Sequence, residues 1–172
     1  MDNIQGKVED IMSTKSRKTW QEKLLDSKDL PKVVTIEGNM SRKWGSGTVC
    51  IPAPIEVDGI MREVPAGQLI TVNQIREILA RRHGATIGCP ITTGIFSVIS
   101  ARAADEAASK GETIITPYWR TIKSSGELNE KYPGGKEAHA ARLRTEGHVI
   151  ELDRSGKPKR VKDFKKALVE EV

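Results

Sequence analysis

Cysteine is scarce in this chain. Only Cys50 and Cys89 occur among 172 residues, which excludes a disulfide framework and a paired zinc motif. Long apolar runs are missing as well. No stretch approaches the roughly 18–20 apolar residues of a membrane span, and the N-terminus lacks the apolar core of a signal peptide. The three histidines, His83, His139 and His148, are scattered without ligand spacing. Gly45-Ser46-Gly47 and Gly134-Gly135-Lys136 lack the register of a phosphate loop. These absences predict a soluble, cytoplasmic protein with no metal and no cofactor.

The length suits one domain, or one domain with appended segments, large enough to bury a real core. Lys and Arg number 28 against 23 Asp and Glu, giving a formal charge of +5 and a pI near 9.2. That excess is compatible with a polyanionic partner without requiring one.

Along the chain, Trp20, Leu24 and Leu25 fall at helical spacing within a charged segment from about Gly6 to Leu30. An amphipathic helix is expected there, ended by Pro31. Lys32 to Glu37 reads as a short strand, and Asn39 to Gly47 as a polar loop carrying Trp44, either a packing anchor or a base-stacking group. Pro54 can open a helix whose apolar face is Val57, Ile60, Met61 and Val64.

Thr71-Val72-Asn73-Gln74 has the form of a capping box, followed by the apolar face Ile75, Ile78 and Leu79 and a stop at Gly84. Thr92 or Thr93 can cap a second helix with the stripe Ile95, Phe96, Val98, Ile99 and Ala103. Two helices joined by a turn suit a helix-turn-helix, as they suit any helical hairpin. Glu137 to Glu146 reads as a helix ending at Gly147, followed by a turn at Ser155-Gly156-Lys157-Pro158. Val161, Phe164, Leu168 and Val169 predict a basic amphipathic C-terminal helix.

The most specific pattern is an ordered set: Pro117-Tyr118-Trp119-Arg120, Ser124-Ser125-Gly126, Tyr132-Pro133-Gly134-Gly135 and Glu146-Gly147. It resembles the active-site segment of the O6-alkylguanine-DNA alkyltransferases, which reads Pro-Cys-His-Arg, Ser-Ser-Gly, Tyr-x-Gly-Gly and Glu-Gly. The resemblance spans roughly residues 64–148. Tyr118 stands at the position of the nucleophilic cysteine and Trp119 at that of its histidine. Members with an aromatic residue at the cysteine position form the alkyltransferase-like subgroup, which binds alkylated guanine without repairing it.

The resemblance implies a helix-rich α+β fold with a winged-helix, helix-turn-helix-like DNA-binding domain over residues 54–150. An N-terminal extension of helix and short strands (1–53) would precede it, and the basic helix (151–172) would follow. It implies a protein that is not an enzyme, because alkyl transfer needs a thiolate linked to histidine and, through water, to glutamate. A phenol with a pKa near 10 and no adjacent base is a poor substitute.

By the same resemblance, Pro117, Tyr118, Trp119, Ser124, Ser125, Gly126, Tyr132, Pro133, Gly134 and Gly135 would line a lesion pocket. Tyr118 and Trp119 could equally plug that pocket as core residues. Thr71, Asn73, Arg76, Arg81, Arg82, Thr92, Thr93 and Ser97 would meet DNA, and Arg120 and Glu146 would be structural. The partners implied are double-stranded DNA, O6-alkylguanine within it, and nucleotide excision repair proteins.

Departures from the family are clear. Val72 occupies the place of a tyrosine that presses on the target phosphate, and Thr92-Thr93-Gly94 the place of an arginine finger. The asparagine that braces the site is not evident. Two other readings stand beside the main one. One is a helix-turn-helix regulator without lesion recognition. The other is a thiol enzyme using Cys89, placed near a helix N-terminus.

Overall fold

The computed structural model describes residues 17–170. Its first helix, α1 (Trp20–Leu25), is held by a capping box in which Thr19 and Glu22 satisfy each other's backbone N–H groups. The helix expected over 6–30 is therefore only this short piece within the described residues, and its predicted start lies outside them. It ends at Asp26, well before Pro31, because Asp26 leaves helical geometry and Lys28 adopts a positive φ of 51°.

Strand β1 (Lys32–Thr35) follows. The predicted loop from Asn39 instead contains helix α2 (Asn39–Trp44), bounded by Gly38 at φ 59° and Gly45 at φ 78°. The two glycines supply the turns that L residues resist, so a single helical turn fits between them. Strand β2 (Thr48–Ile51) pairs antiparallel with β1.

Helix α3 (Pro54–Arg62) begins with proline at its first position, where no N–H is needed. The Glu56 carboxylate accepts the Ala53 N–H at 2.8 Å. Strand β3 (Ile70–Thr71) leads directly into helix α4 (Val72–His83). The capping box forms as expected: Thr71 Oγ1 accepts the Gln74 N–H and the Gln74 amide oxygen accepts the Thr71 N–H. Gly84 ends α4 in the left-handed conformation at φ 63°. Strand β4 (Ile87–Gly88) pairs parallel with β2, giving a sheet of order β1-β2-β4.

Helix α5 (Pro90–Ser109) starts earlier than Thr92 or Thr93 would allow. Cys89 is its N-cap residue, and Thr93 lies within the first turn, its hydroxyl donating to the Cys89 carbonyl at 2.6 Å. The buried face of α5 is the expected one only in part, through Ala103 with Phe96 and Val98 packed against the core. Its buried residues are Thr93, Ser97, Ser100, Ala101, Ala103, Ala104 and Ala107, while Ile95 is 52% exposed. Small side chains let α5 approach α3 closely, with Phe96 and Val98 half-buried at the edge of the core and Ile91 and Ile95 exposed. The buried hydroxyls are satisfied locally or on buried Asp58, which accepts from Ser100 at 2.5 Å and from Thr116 at 2.7 Å.

A 3₁₀ turn (Tyr118–Arg120) and strand β5 (Thr121–Ile122) come next, with β5 parallel to β3. Helix α6 (Gly135–Thr145) matches the expected helix closely. The C-terminal segment is a correction. Strands β6 (Ile150–Leu152) and β7 (Pro158–Val161) form an antiparallel hairpin around the predicted turn, followed by a 3₁₀ turn (Phe164–Ala167). The residues that resemble a helical stripe are buried by β pairing instead. The Leu69 N–H donates to the Ala167 carbonyl and the Val169 N–H donates to the Leu69 carbonyl, both at 2.8 Å, and the Gln74 amide donates to the Val169 carbonyl at 2.9 Å.

One core joins α3, α4 and α5 and includes Tyr118, Tyr132 and Val169. A second holds Leu69, Ile122, Leu128, Leu143, Ile150 and Val161. A third, small one collects Ile36, Val49 and Cys89, with Trp44 against it. Trp44 is thus a packing anchor. Among the described residues no helix is long and apolar enough to cross a membrane.

Candidate nucleic-acid interface

The Pro117–Arg120 motif is held by one carboxylate. Glu146 accepts from Trp119 Nε1 at 2.9 Å, from Arg120 Nη2 at 2.6 Å and from the Gly67 N–H at 3.1 Å. Arg120 also donates to the Val64 carbonyl at 2.7 Å. Three distant segments meet there, consistent with structural roles for Arg120 and Glu146. Burial alone would raise the Glu146 carboxyl, but the hydrogen bonds from Arg120, Trp119 and Gly67 outweigh it and hold the group below its ordinary value.

Tyr118 is 4% exposed and sits in the main core. Its ring meets Trp119 and Tyr132 edge-on, with centroids 5.4 and 5.5 Å apart. Burial raises its phenol pKa, with the nearby Arg142 guanidinium partly offsetting the effect. A base that held this phenol as phenolate is therefore not part of the site. Tyr132 is fully enclosed too, its hydroxyl beside Ser97 and Asn129 but without a well-formed hydrogen bond.

Two residues not singled out from the sequence support the motif from behind. His139 Nδ1 accepts the Asn129 N–H at 3.1 Å, so Nε2 carries the proton and donates to the Trp119 carbonyl at 2.8 Å. Burial pushes the His139 pKa down to about 4, so the ring is neutral near pH 7. Asn129 in turn accepts from the Lys131 N–H and orders the loop.

The glycines expected to admit a base closely are filled by the protein itself. A Cβ on Gly126 would lie 2.4 Å from Phe164, and one on Gly134 would lie 2.5 Å from Ala138. The pocket residues predicted from the motif consequently do not share one open cavity. Pro117, Trp119 and Arg120 line a cavity of about 600 Å³ with Arg62, Ile115 and Arg142, whose guanidinium lies 4.5 Å over the Trp119 ring. Ser125 and Pro133 line neither that cavity nor the groove described next, and Gly135 donates its N–H to the Tyr132 carbonyl.

Ser124 belongs to a larger groove of about 890 Å³. Its walls are the start of α4 (Val72, Asn73, Arg76), the first turns of α5 and the loop 123–131. Ile91, Ile95 and Val98 make an apolar floor, and Lys23, Arg76, Lys123 and Lys131 bring positive charge. Glu130 pairs with Lys123 at 2.7 Å.

The expected DNA contacts divide in the same way. Asn73 is exposed, and Arg76 reaches it at 2.7 Å while donating to the Gly88 carbonyl at 2.9 Å. Arg81 and Arg82 are exposed at the far end of α4, roughly 12 Å along the helix from Asn73. Thr71, Thr93 and Ser97 are corrections: all three are buried, and their hydroxyls serve the helices' own backbones. Thr92 is half-buried, with no partner for its hydroxyl among the described residues.

Cys89 is buried beside Val49 and Ile36 as a small apolar group, and no histidine hydrogen bonds to it among the described residues. That placement removes the thiol-enzyme reading. Cys50, also buried, has its thiol pushed up to about 11 by burial.

No family model matches the chain, and no curated protein matches it. Among solved structures, the chain is similar to S. pombe Atl1 in complex with damaged DNA containing O6-carboxymethylguanine. The TM-score is 0.45 at 18% identity, over 68% of this chain and 94% of that one. It is similar also to S. pombe ATL in complex with DNA, with a TM-score of 0.43, 18% identity and the same coverage of both chains.

Proposed function

We propose that this chain is a non-catalytic DNA-binding protein of the alkyltransferase-like kind, which holds O6-alkylguanine in duplex DNA and marks it for nucleotide excision repair. The observation that carries this reading is the cation-rimmed, apolar-floored groove between α4, α5 and the loop after the Pro-Tyr-Trp-Arg motif. A helix-turn-helix sets α5 beside the duplex, with Asn73, Arg76, Arg81 and Arg82 near phosphates and the β6–β7 hairpin as the wing. The lesion base leaves the stack, at a cost of a few kcal/mol, and enters this groove rather than the space at Tyr118. Alkyl transfer does not follow, because Tyr118 is enclosed and its phenol is held protonated.

The burial of Tyr118 and Tyr132 favours a second reading, a helix-turn-helix DNA-binding regulator without lesion recognition. One titration separates the two. Duplexes that differ only in a single O6-methylguanine are compared at several salt concentrations. The sensor binds the modified duplex more tightly, whereas the regulator binds both alike with the same salt slope. Absence of any salt-dependent duplex binding refutes both. Replacing Arg81 and Arg82 together by alanine weakens both duplexes equally and flattens the slope.

A further inference from the structure

Helix α1 lies outside the stretch that resembles the alkyltransferases, yet it is fastened to the candidate groove. The Glu106 carboxylate on α5 accepts the Trp20 N–H at 3.1 Å and the Gln21 N–H at 3.3 Å. Those are backbone donors that a helix start leaves without partners of its own. The Gln21 side chain reaches the Ala103 carbonyl at 3.5 Å, Leu24 is buried, and Lys18 pairs with Asp26 across the outer side of the helix. A surface appendage held only by chance contact has no need of a carboxylate from the neighbouring helix dedicated to its backbone.

This anchoring fixes one side chain above all. Trp20 forms a wall of the 890 Å³ groove, with Lys23 Nζ 4.0 Å and the Arg102 guanidinium 5.3 Å from its ring centre. Arg102 also donates to the Lys131 carbonyl at 2.8 Å, tying this wall to the opposite loop. The groove is therefore bounded on one side by the Trp20 indole and Lys23, with Arg102 behind them outside the lining, and below by Ile91, Ile95 and Val98. Of its acidic linings only Glu130 is present, and it is already paired with Lys123. Lys23, Arg76 and Lys131 have no ion-pair partner among the described residues.

We infer that Trp20 is the specificity-determining contact of the groove: it stacks on a nucleobase extruded from duplex DNA, with the groove-lining Lys23 and Lys131 facing that nucleotide's phosphates. The occupant follows from the chemistry. A flat aromatic wall, an apolar floor and uncompensated cations match a planar base carried on an anionic backbone. An apolar peptide would leave the cations unpaired, and an acidic one would leave the indole and isoleucines without a partner. The volume lies within the roughly 300–1,000 Å³ of ligand-sized sites. This inference rests on the DNA-binding reading above and assigns the contact that reading leaves open to the N-terminal segment.

The test compares full-length protein with its Trp20→Phe and Trp20→Ala variants on three duplexes. One is fully paired, one carries a single O6-methylguanine, and one carries 2-aminopurine opposite a mismatch. Wild-type protein is expected to prefer the modified duplex, and Trp20→Ala to lose about tenfold of that preference, the size of one base–aromatic stack. Trp20→Phe keeps most of it. Bound 2-aminopurine is quenched by the indole and brightens in the Trp20→Ala complex, a change that loosened packing of α1 does not produce. A wild-type preference that Trp20→Ala retains, with unchanged quenching, overturns the inference and leaves the DNA-binding reading intact. Failure of wild-type protein to bind any duplex overturns both.

Discussion

Replacing Tyr118 by alanine empties a space that the protein fills with a ring 4% exposed and wedged edge-on between Trp119 and Tyr132. The surrounding core comes from α3, α4 and the C-terminal Val169, and it cannot close on the vacancy without moving helices. Aromatic-to-alanine changes in such sites cost about 3–5 kcal/mol. For a chain of this size each kcal/mol lowers the melting temperature by roughly 2–4 °C, so a fall of about 10 °C is expected. Tyr118→Phe keeps the ring and is expected to stay within about 1 kcal/mol of the parent.

The assay pairs thermal melts with DNA titrations carried out well below the lower melting temperature. There the ratio of affinities for O6-methylguanine and unmodified duplexes should change by less than about twofold, since the ring plugs the core and does not line the groove. A tenfold loss of that ratio with an unchanged melting temperature would show that a base reaches Tyr118. It would refute the plug assignment.

Three further outcomes are expected. His139 is held neutral by burial, with its pKa lowered to about 4, while an unfolded chain protonates near 6.5. Its contribution is fully present above about pH 6.5 and is lost as pH falls towards 4, by about 3 kcal/mol in all; denaturant melts across that window should show the slope, and His139→Gln should remove it. Asp58→Ala leaves Ser100 and Thr116 without their buried acceptor and should cost about 2–4 kcal/mol in a urea melt, whereas an exposed acid such as Glu137 should cost almost nothing. Gly88→Ala would set a Cβ 2.5 Å from the Arg76 carbonyl oxygen, forcing β4 off α4; a marked loss of stability is expected, and a neutral result would refute that close approach.

Local signals were readable where the chain's own neighbours decide the structure. The Thr71–Gln74 box, Pro54 at a helix start and Gly84 at a helix end each involve residues within a turn of one another. The errors arise where the decision lies with a distant partner. In α5 the large residues suggested the buried face, yet close approach to α3 puts Thr93, Ser97 and Ala101 innermost and leaves Phe96 and Val98 at the edge of the core. Val161, Phe164 and Leu168 are spaced plausibly for a helix. Val161 instead pairs with Ile150 and Leu168 with Leu69, more than ten and nearly one hundred residues earlier, and Phe164 packs on Gly126.

The candidate site follows the same division. The ordered motif folds into one neighbourhood, where Arg120 and Glu146 join three distant segments by hydrogen bonds. The open groove, however, is assembled from α1, α4, α5 and the loop 123–131, and no periodicity or spacing announces that meeting. Trp20, Asn129 and His139 were therefore invisible as site residues. Each acts through a partner that only the tertiary fold brings near.

The saturation of Glu146 bears on whether a nucleophile could be built at position 118. The carboxylate that would have to polarise a histidine already accepts from an indole, a guanidinium and a backbone amide in this chain. Tyr118→Cys alone would add a thiol to an enclosed site with no acceptor for its proton. Adding Trp119→His would remove the indole donor, but the guanidinium would keep the carboxylate engaged and the backbone joint at Gly67 would still depend on it. A working nucleophile at position 118 therefore requires a new clamp for Val64–Gly67 before any change there can take effect. The hydrogen bonds that hold this motif together make Glu146 a three-way joint with no acceptor to spare.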